Sequence, residues 1–392
     1  MALNTVSSDR LSTNVKNTNF TAAEKQDLTD DILPLAGQLG NRNLIINGAM
    51  QVAQRGTSST TNGFGSVDRF QCLNGNTDEA PTHAQVDVAS GTTPYTNGFR
   101  KALKITNGNQ TGGAGADDYI LVRTTLEAQD IANSGWNYTD SNSKITFSFW
   151  IKSSVAQNFY GHIRSHDGTS YNYPFETGSL SADTWTKVIK TIPGNSNLTF
   201  DNNVNAGLEI NFAAFFGTSY TSGVSVDQWI AYASGNLTPD QTSTWYTTND
   251  ATLEITGLQL EVGSVATDFE HRSFAQELAL CQRYFQLHNN IMTAGYVPDN
   301  NARVYSLGFN FPIQMRSAPS LSITQTGSTS NQAVVDASAG ANITSILSAG
   351  TNKFCAEYSV NLDADLTNFR PAITEGANSS TRATDYKFSA EL

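Results

Sequence analysis

Sugar recognition needs the flat face of an aromatic ring beside hydroxyl and amide groups, and four side chains of this sequence fit that requirement. Along residues 145–152, Ile145, Phe147, Phe149 and Ile151 share one strand parity, while Thr146, Ser148, Trp150 and Lys152 share the other. A strand alternates faces with period two, so Trp150 is expected on the solvent side. Trp136, Tyr171 and Tyr173 lie among Asn, Ser, Thr and Gly, in stretches that read as polar loops. For all four, packing in the core or at an interface is the competing reading. For Trp185 and Trp229, core packing is the stronger one.

Motifs for covalent or metal chemistry are missing. The chain has no Gly-x-Ser-x-Gly elbow, no His-Glu-x-x-His, no phosphate loop and no dinucleotide fingerprint. His162 and His166 are four apart in strand-like sequence, which places them on one face about 13 Å apart. They read as surface histidines rather than a metal pair. Asp117-Asp118, beside a Gly-rich stretch, offers oxygen ligands of the kind calcium takes, with an acidic solvated loop as the alternative. Cys72, Cys281 and Cys355 are far apart, with no Cys-x-x-Cys spacing, and read as small buried hydrophobes. A glycosidase pair among the 35 acids would form only in the fold. Binding without catalysis, and without a cofactor, is the expectation.

The elements that must position these residues are mainly β. Leu208, Ile210, Phe212, Ala214 and Phe216 alternate as the Trp150 run does. Further strands are expected at 68–72, 84–89, 102–106, 119–126, 159–165, 185–192 and 228–233, with a single helical turn at 127–133. Many short strands between Gly- and Asn-rich loops argue for a two-sheet sandwich, of which a jelly roll is one form. After residue 289, Tyr305, Leu307, Phe309 and Phe311 alternate, as do Phe354, Ala356, Tyr358 and Val360, then Tyr386, Phe388, Ala390 and Leu392. The organisation read from this is an N-terminal arm with a short helix (1–40), a large antiparallel jelly-roll sandwich (41–272), a connecting helix (273–288) and a smaller C-terminal β-sandwich (289–392).

Residues 255–285 join these parts. Leu253 and Ile255 share one parity, Leu258 and Leu260 the other, and Gly257 stands at the switch, so a β-bulge is expected there. Ser273 with Gln276 is a capping-box pattern. Phe274, Leu278, Cys281 and Phe285 then follow at helical spacing, with a second stripe of Leu280, Tyr284 and Leu287. One stripe is expected against the jelly roll and the other at a subunit contact; packing of both within one chain is the alternative.

This stretch resembles the closing segment of a β-jelly-roll domain in tail-fibre and appendage proteins of tailed bacteriophages. The resemblance is carried by Gly257, Gln259, Leu260, Glu261 and Gly263, then Ala266, Thr267, Phe269, Glu270, Arg272 and Ser273, then Glu277, Leu278, Cys281, Arg283, Tyr284 and Phe285. The opening Asn-Leu-Ile-Ile-Asn-Gly at 43–48, with Arg55-Gly56 and Asp68-Arg69-Phe70, matches the family's start. Residues 311–319 match a segment that follows the jelly roll. The resemblance covers about residues 41–320. It implies a virion part and, for fibre appendages, a homotrimer. Such jelly rolls are similar to carbohydrate-binding modules, some of which hold a structural calcium on acids. Met50 and Thr256-Gly257 stand where those acids would be, so no metal is expected.

The N-terminal arm is polar to about residue 20. Thr21 with Glu24 is a second capping box, with Leu28 and Ile32 on one helix face and Pro34 stopping the helix. This segment is either packed on its own domain or an anchor to other virion proteins. The start of the chain has no apolar stretch of a signal peptide, so synthesis in the bacterial host cytoplasm is expected. A net charge of −12 disfavours nucleic acid and anionic membrane surfaces as partners. Three functions fit these features: a fibre adhering to host surface glycans, a purely structural adaptor or capsid-decorating fibre, and, weakest, a polysaccharide-degrading enzyme.

Overall fold

The alternating run that carries Trp150 forms a strand whose apolar side faces a second sheet. A computed structural model describes residues 41–289, 292–298, 302–306, 308–325, 334–336, 339–375 and 384–392, and Leu44–Leu392 make one compact unit. Thr21, Glu24, Leu28 and Ile32 lie outside the described residues. In chain order the elements of the sandwich are β1 (Ser58–Ser59), β2 (Gln71–Gly75), β3 (Thr82–Asp87), α1 (Thr93–Thr96), β4 (Lys101–Thr106), β5 (Tyr119–Glu127), α2 (Ala128–Ala132), β6 (Lys144–Ser153) and β7 (Asn158–Ser165). There follow β8 (Tyr171–Ser179), β9 (Thr186–Pro193), β10 (Ala206–Phe216), β11 (Ile230–Ala231), α3 (Thr244–Thr247), β12 (Thr252–Val262) and α4 (Phe274–Gln282). The helical turn expected after residue 127 is α2.

These strands make two six-stranded sheets, ordered β1-β3-β4-β12-β6-β9 and β11-β8-β7-β10-β5-β2, with antiparallel pairing throughout. The chain crosses between the sheets rather than filling one and then the other, which is a jelly-roll sandwich. Phe147, Phe149, Phe175 and Phe212 meet in its centre, Phe149 and Phe212 edge to face at 4.8 Å. Residues 171–179, read as loop, form β8. Tyr171, Tyr173 and Phe175 face the core and alternate with Asn172 and Pro174 on the outer side, and Pro174 is tolerated because the neighbouring β11 pairs only with Tyr171 and Asn172.

The Gly257 bulge is present. Along β12 and β6, Thr256 pairs with Trp150 and Gln259 with Ser148, so Gly257 and Leu258 together oppose one residue. Gly257 has φ +65°, the left-handed value of a Gly-first bulge. The inserted residue keeps Leu253, Ile255, Leu258 and Leu260 all in the core despite their change of parity.

Beyond α4 lie β13 (Phe285–Asn289), β14 (Met292–Tyr296), β15 (Arg303–Ser306), β16 (Phe309–Asn310), β17 (Ser320–Gln325), β18 (Val334–Asp336), β19 (Ala339–Ala341), β20 (Ile343–Thr351), β21 (Cys355–Leu362), β22 (Pro371–Glu375) and β23 (Thr384–Ser389). They form a three-stranded sheet, β13-β23-β17, and a larger one built on β21, β15, β14 and β22. Val304, Phe311, Met315, Tyr358, Val360, Tyr386 and Phe388 fill the core between them.

The capping box at Ser273 forms as expected: Gln276 N donates to Ser273 Oγ and Ser273 N to Gln276 Oε1. The seam expected along Phe274, Leu278, Cys281 and Phe285 does not. Phe274 is 56% exposed, Leu278 is half-buried, and Phe285 belongs to β13. The buried line is instead Glu277, Cys281 and Tyr284. The cause is a polar anchor, since Asn47 N and Arg272 both bind the Glu277 carboxylate, and that turns the helix by roughly one residue.

That line runs into a junction between the sandwich and the C-terminal sheets. Glu127, fully buried at the end of β5, accepts from Arg283 Nε and Nη2, both at 2.8 Å, and from the Tyr284 hydroxyl at 2.6 Å. The Arg69 guanidinium lies 3.4 Å over the Tyr284 ring and Arg55 lies 3.5 Å over Phe285. Both arginines bind the Glu391 carboxylate. Arg316 donates to Val204 O and Ala390 O, each at 2.7 Å. Burial here pushes the Asp68 carboxyl up to about 6, against the pull of Gln54 and Arg55. A folded-state value above the ordinary carboxylate range means that Asp68 favours folding at low pH, and that this contribution fades as pH rises through about 6. Asp68→Asn should therefore remove a fall in stability of roughly 2 kcal/mol between about pH 4 and about pH 7. Urea titrations at the two pH values read this directly; an unchanged pH dependence in the variant would refute it.

Candidate functional site

Trp150 stands on the outer face of the first sheet, where it helps line a cavity of about 460 Å³, within the usual range for small-molecule sites. The sheet contributes Ser148 and Trp150 from β6, Lys187 from β9 and the Gly257 bulge. Lys187 is the register partner of Trp150, and Ile189, 49% exposed, is the partner of Ser148. Two loops supply the walls. One is the end of α1 with Phe99; the other is the turn after β12, with Thr267, Asp268, Phe269 and His271. Phe99 and Phe269 pack edge to face at 4.9 Å, and His271 Nε2 reaches Asn97 O at 2.9 Å.

The sequence builds this wall by burying polar side chains behind it. Glu261 is 2% exposed and accepts from Thr267 N at 2.9 Å, Thr267 Oγ1 at 2.6 Å and Gln259 Nε2 at 2.8 Å. Gln259 Oε1 in turn accepts from Glu270 N at 2.8 Å. The bulge matters to this arrangement, because it turns Gln259 and Glu261 to the outer face while Leu258 and Leu260 stay inside. At Gly257 itself the absent side chain leaves room for Phe99, whose Cζ would lie 2.6 Å from a Cβ.

Of the four aromatic residues expected at a sugar site, Trp150 alone enters the cavity, and it is half-buried. Trp136 is 3% exposed and packs on Tyr138 and Phe200 within the main core. Tyr173 is 2% exposed, 5.2 Å from Trp229. Tyr171 shares its face of β8 and packs half-buried against the same core. These three are corrections: polar neighbours in sequence placed them in solvated loops, but the pairing of β8 turns Tyr171 and Tyr173 inward, and the loop between α2 and β6 packs Trp136 onto Tyr138 and Phe200. Trp185, assigned to the core, instead packs beside Trp150 on the outer face, with Lys152 Nζ 5.2 Å from its ring. Lys187 follows from strand alternation, whereas Phe99 and His271 arrive by loops that carry no periodic signal.

The outer face of the second sheet is closed. Residues 217–240 cross it, held by Arg164 stacked 3.6 Å from Tyr232 and by Asn172 Nδ2 donating to Leu237 O at 2.9 Å. His162, expected at the surface, is 2% exposed beneath this cover. Burial pushes it down to about 4, so it is neutral at physiological pH. For Glu209 nearby, burial is outweighed by His166, Arg123 and Asn211, which hold it at about 2. Asp118 accepts from Gly115 N and the Tyr246 hydroxyl, so its carboxylate serves to tie its loop down. Among the described residues no group of three His, Cys, Asp or Glu is placed to hold a metal, and no helix is long and apolar enough to cross a membrane.

No family model matches the chain, and no curated protein matches it. Among solved structures, the chain is similar to the enzymatically active domain of bacteriophage CBA120 tailspike protein 4, at 9% identity and a TM-score of 0.29, over 56% of this chain and 21% of that one. It is similar to the family 11 carbohydrate-binding module of Clostridium thermocellum in complex with a mixed-linked tetrasaccharide, at 14% identity and 0.23, over 55% of this chain and 98% of that one. A third likeness is to the N-terminal cellulose-binding domain of Cellulomonas fimi β-1,4-glucanase C, at 10% identity and 0.26, over 55% and 99%. Similarity of this degree carries no functional weight, and the chain spans about a fifth of the tailspike domain.

Proposed function

We propose that this chain is a non-catalytic glycan-binding subunit of a phage fibre, and that the cavity at Trp150 is where the sugar docks. The observation that carries the reading is the half-buried indole of Trp150 in a cavity that also holds hydroxyl, amide and ionic groups. A ring face and polar groups together suit the apolar face and hydroxyl rim of a sugar. Asp268 is the one carboxylate of the lining, where glycoside hydrolysis uses a pair, which favours binding over cleavage. Assignment to a virion rests on the motif resemblance over residues 41–320. In this reading the N-terminal arm attaches the chain to other virion proteins and three copies assemble. Exposed Phe274 (56%) and Phe369 (76%) are apolar surface that neighbouring copies would cover.

Trp150→Ala should weaken binding to host surface glycan about 30-fold, the effect of losing a central aromatic anchor, while far-UV circular dichroism and a cooperative melting transition show the fold retained. Glycan binding that survives this change would place the site elsewhere.

A further inference from the structure

We infer that the sugar taken at Trp150 carries an anionic substituent, a carboxylate or a phosphate, recognised by Lys187; this rests on the glycan-binding reading above. Lys187 lines the same cavity and sits directly across the β6–β9 pairing from Trp150. Side chains so paired have Cβ atoms about 5 Å apart, so a ring stacked on the indole brings a substituent at its rim within reach of the ammonium group.

The lysines around it are already neutralised. Lys152 pairs with Glu254 at 3.0 Å, Lys190 with Asp227 at 3.3 Å and Lys101 with Asp87 at 2.6 Å. Lys187 forms no ion pair among the described residues. In a chain of net charge −12, a cation left unpaired beside the one sugar-facing indole is the group that would select an anion. Three further polar groups of the lining already have partners within the chain. Thr267 Oγ1 donates to Glu261, Thr96 Oγ1 to Thr92 O, and His271 is held on Asn97 O. Asp268, the other charged group of the lining apart from His271, enters the same cavity from the turn after β12.

The test is calorimetric titration of the full chain with three oligosaccharides: one of hexuronic acid, its neutral methyl ester, and one substituted with phosphate. Lys187→Met, Lys187→Arg and Trp150→Ala are measured beside wild type. At least one anionic ligand should bind about tenfold tighter than the ester. Lys187→Met should erase that preference, and Lys187→Arg should retain it. Which anionic arm binds separates carboxylate from phosphate. Both anionic ligands binding no tighter than the ester, with all binding lost in Trp150→Ala, would overturn the inference and leave the glycan reading standing. A preference that persists in Lys187→Met also overturns it. Binding unaffected by Trp150→Ala removes both.

Discussion

Replacing Glu127 by alanine is expected to destabilise the folded chain by about 3–5 kcal/mol, the usual cost of removing one partner from a buried ion pair. Glu127 is fully buried and takes three hydrogen bonds from Arg283 and Tyr284. Without it, the Arg283 guanidinium, whose charge Glu127 now holds firmly protonated, and the Tyr284 hydroxyl both face a buried gap. The damage is directional. Arg283 and Tyr284 begin the C-terminal part, and Tyr284 also stacks under Arg69, which ties in Glu391. The variant should therefore melt in two steps, C-terminal sheets first, where the parent melts in one. Calorimetry reads both. A single transition displaced by less than about 1 kcal/mol would mean that the junction does not couple the two parts.

Gly257→Ala is expected to cost about 2–5 kcal/mol and to weaken ligand binding together with stability. Part of the cost is backbone strain, since φ is +65° and a left-handed residue with a Cβ costs about 1–2 kcal/mol. The rest is overpacking, because the new methyl would stand 2.6 Å from the Phe99 ring, and such clashes cost about 1–3 kcal/mol. Phe99 can relieve the clash only by moving, and its neighbours Phe269 and His271 form the cavity wall. Urea unfolding and glycan titration of one preparation test both halves. A stable variant with unchanged affinity would show that the bulge neither needs glycine nor shapes the cavity.

The motif that marks the phage resemblance has a structural explanation. Arg55, Asp68, Arg69, Glu277, Arg283, Tyr284, Phe285 and Arg316 come from segments far apart in sequence and converge on the junction. Gln259 and Glu261 hold the cavity wall from behind. None of the junction residues lines the cavity. The junction part of the motif therefore describes how the sandwich is closed and joined to the next sheets, whereas Gly257, Thr267 and Phe269 of the same motif line the cavity.

Local rules were enough to read much of the architecture from the sequence alone. Period-two alternation located β6 and β10, because one side of each strand is buried in a single continuous core. The parity switch at Gly257 located a bulge, because an apolar face cannot change sides without an inserted residue. Ser273 and Gln276 located the start of α4, because a helix end must satisfy its own amide groups. What depends on contacts between distant segments could not be read this way. Tyr173 lies in polar sequence yet turns inward because strand pairing rather than local composition sets its direction, and Trp136 does so because its loop packs on Tyr138 and Phe200. The helix seam passes through Glu277 because Asn47 and Arg272 reach it from elsewhere in the chain. Lys187 meets Trp150 only through the β6–β9 register, and Phe99 and His271 meet them only because two aperiodic loops fold over the same sheet. The scaffold follows from short-range periodicity, whereas the cavity is a long-range coincidence that only the packed tertiary structure produces.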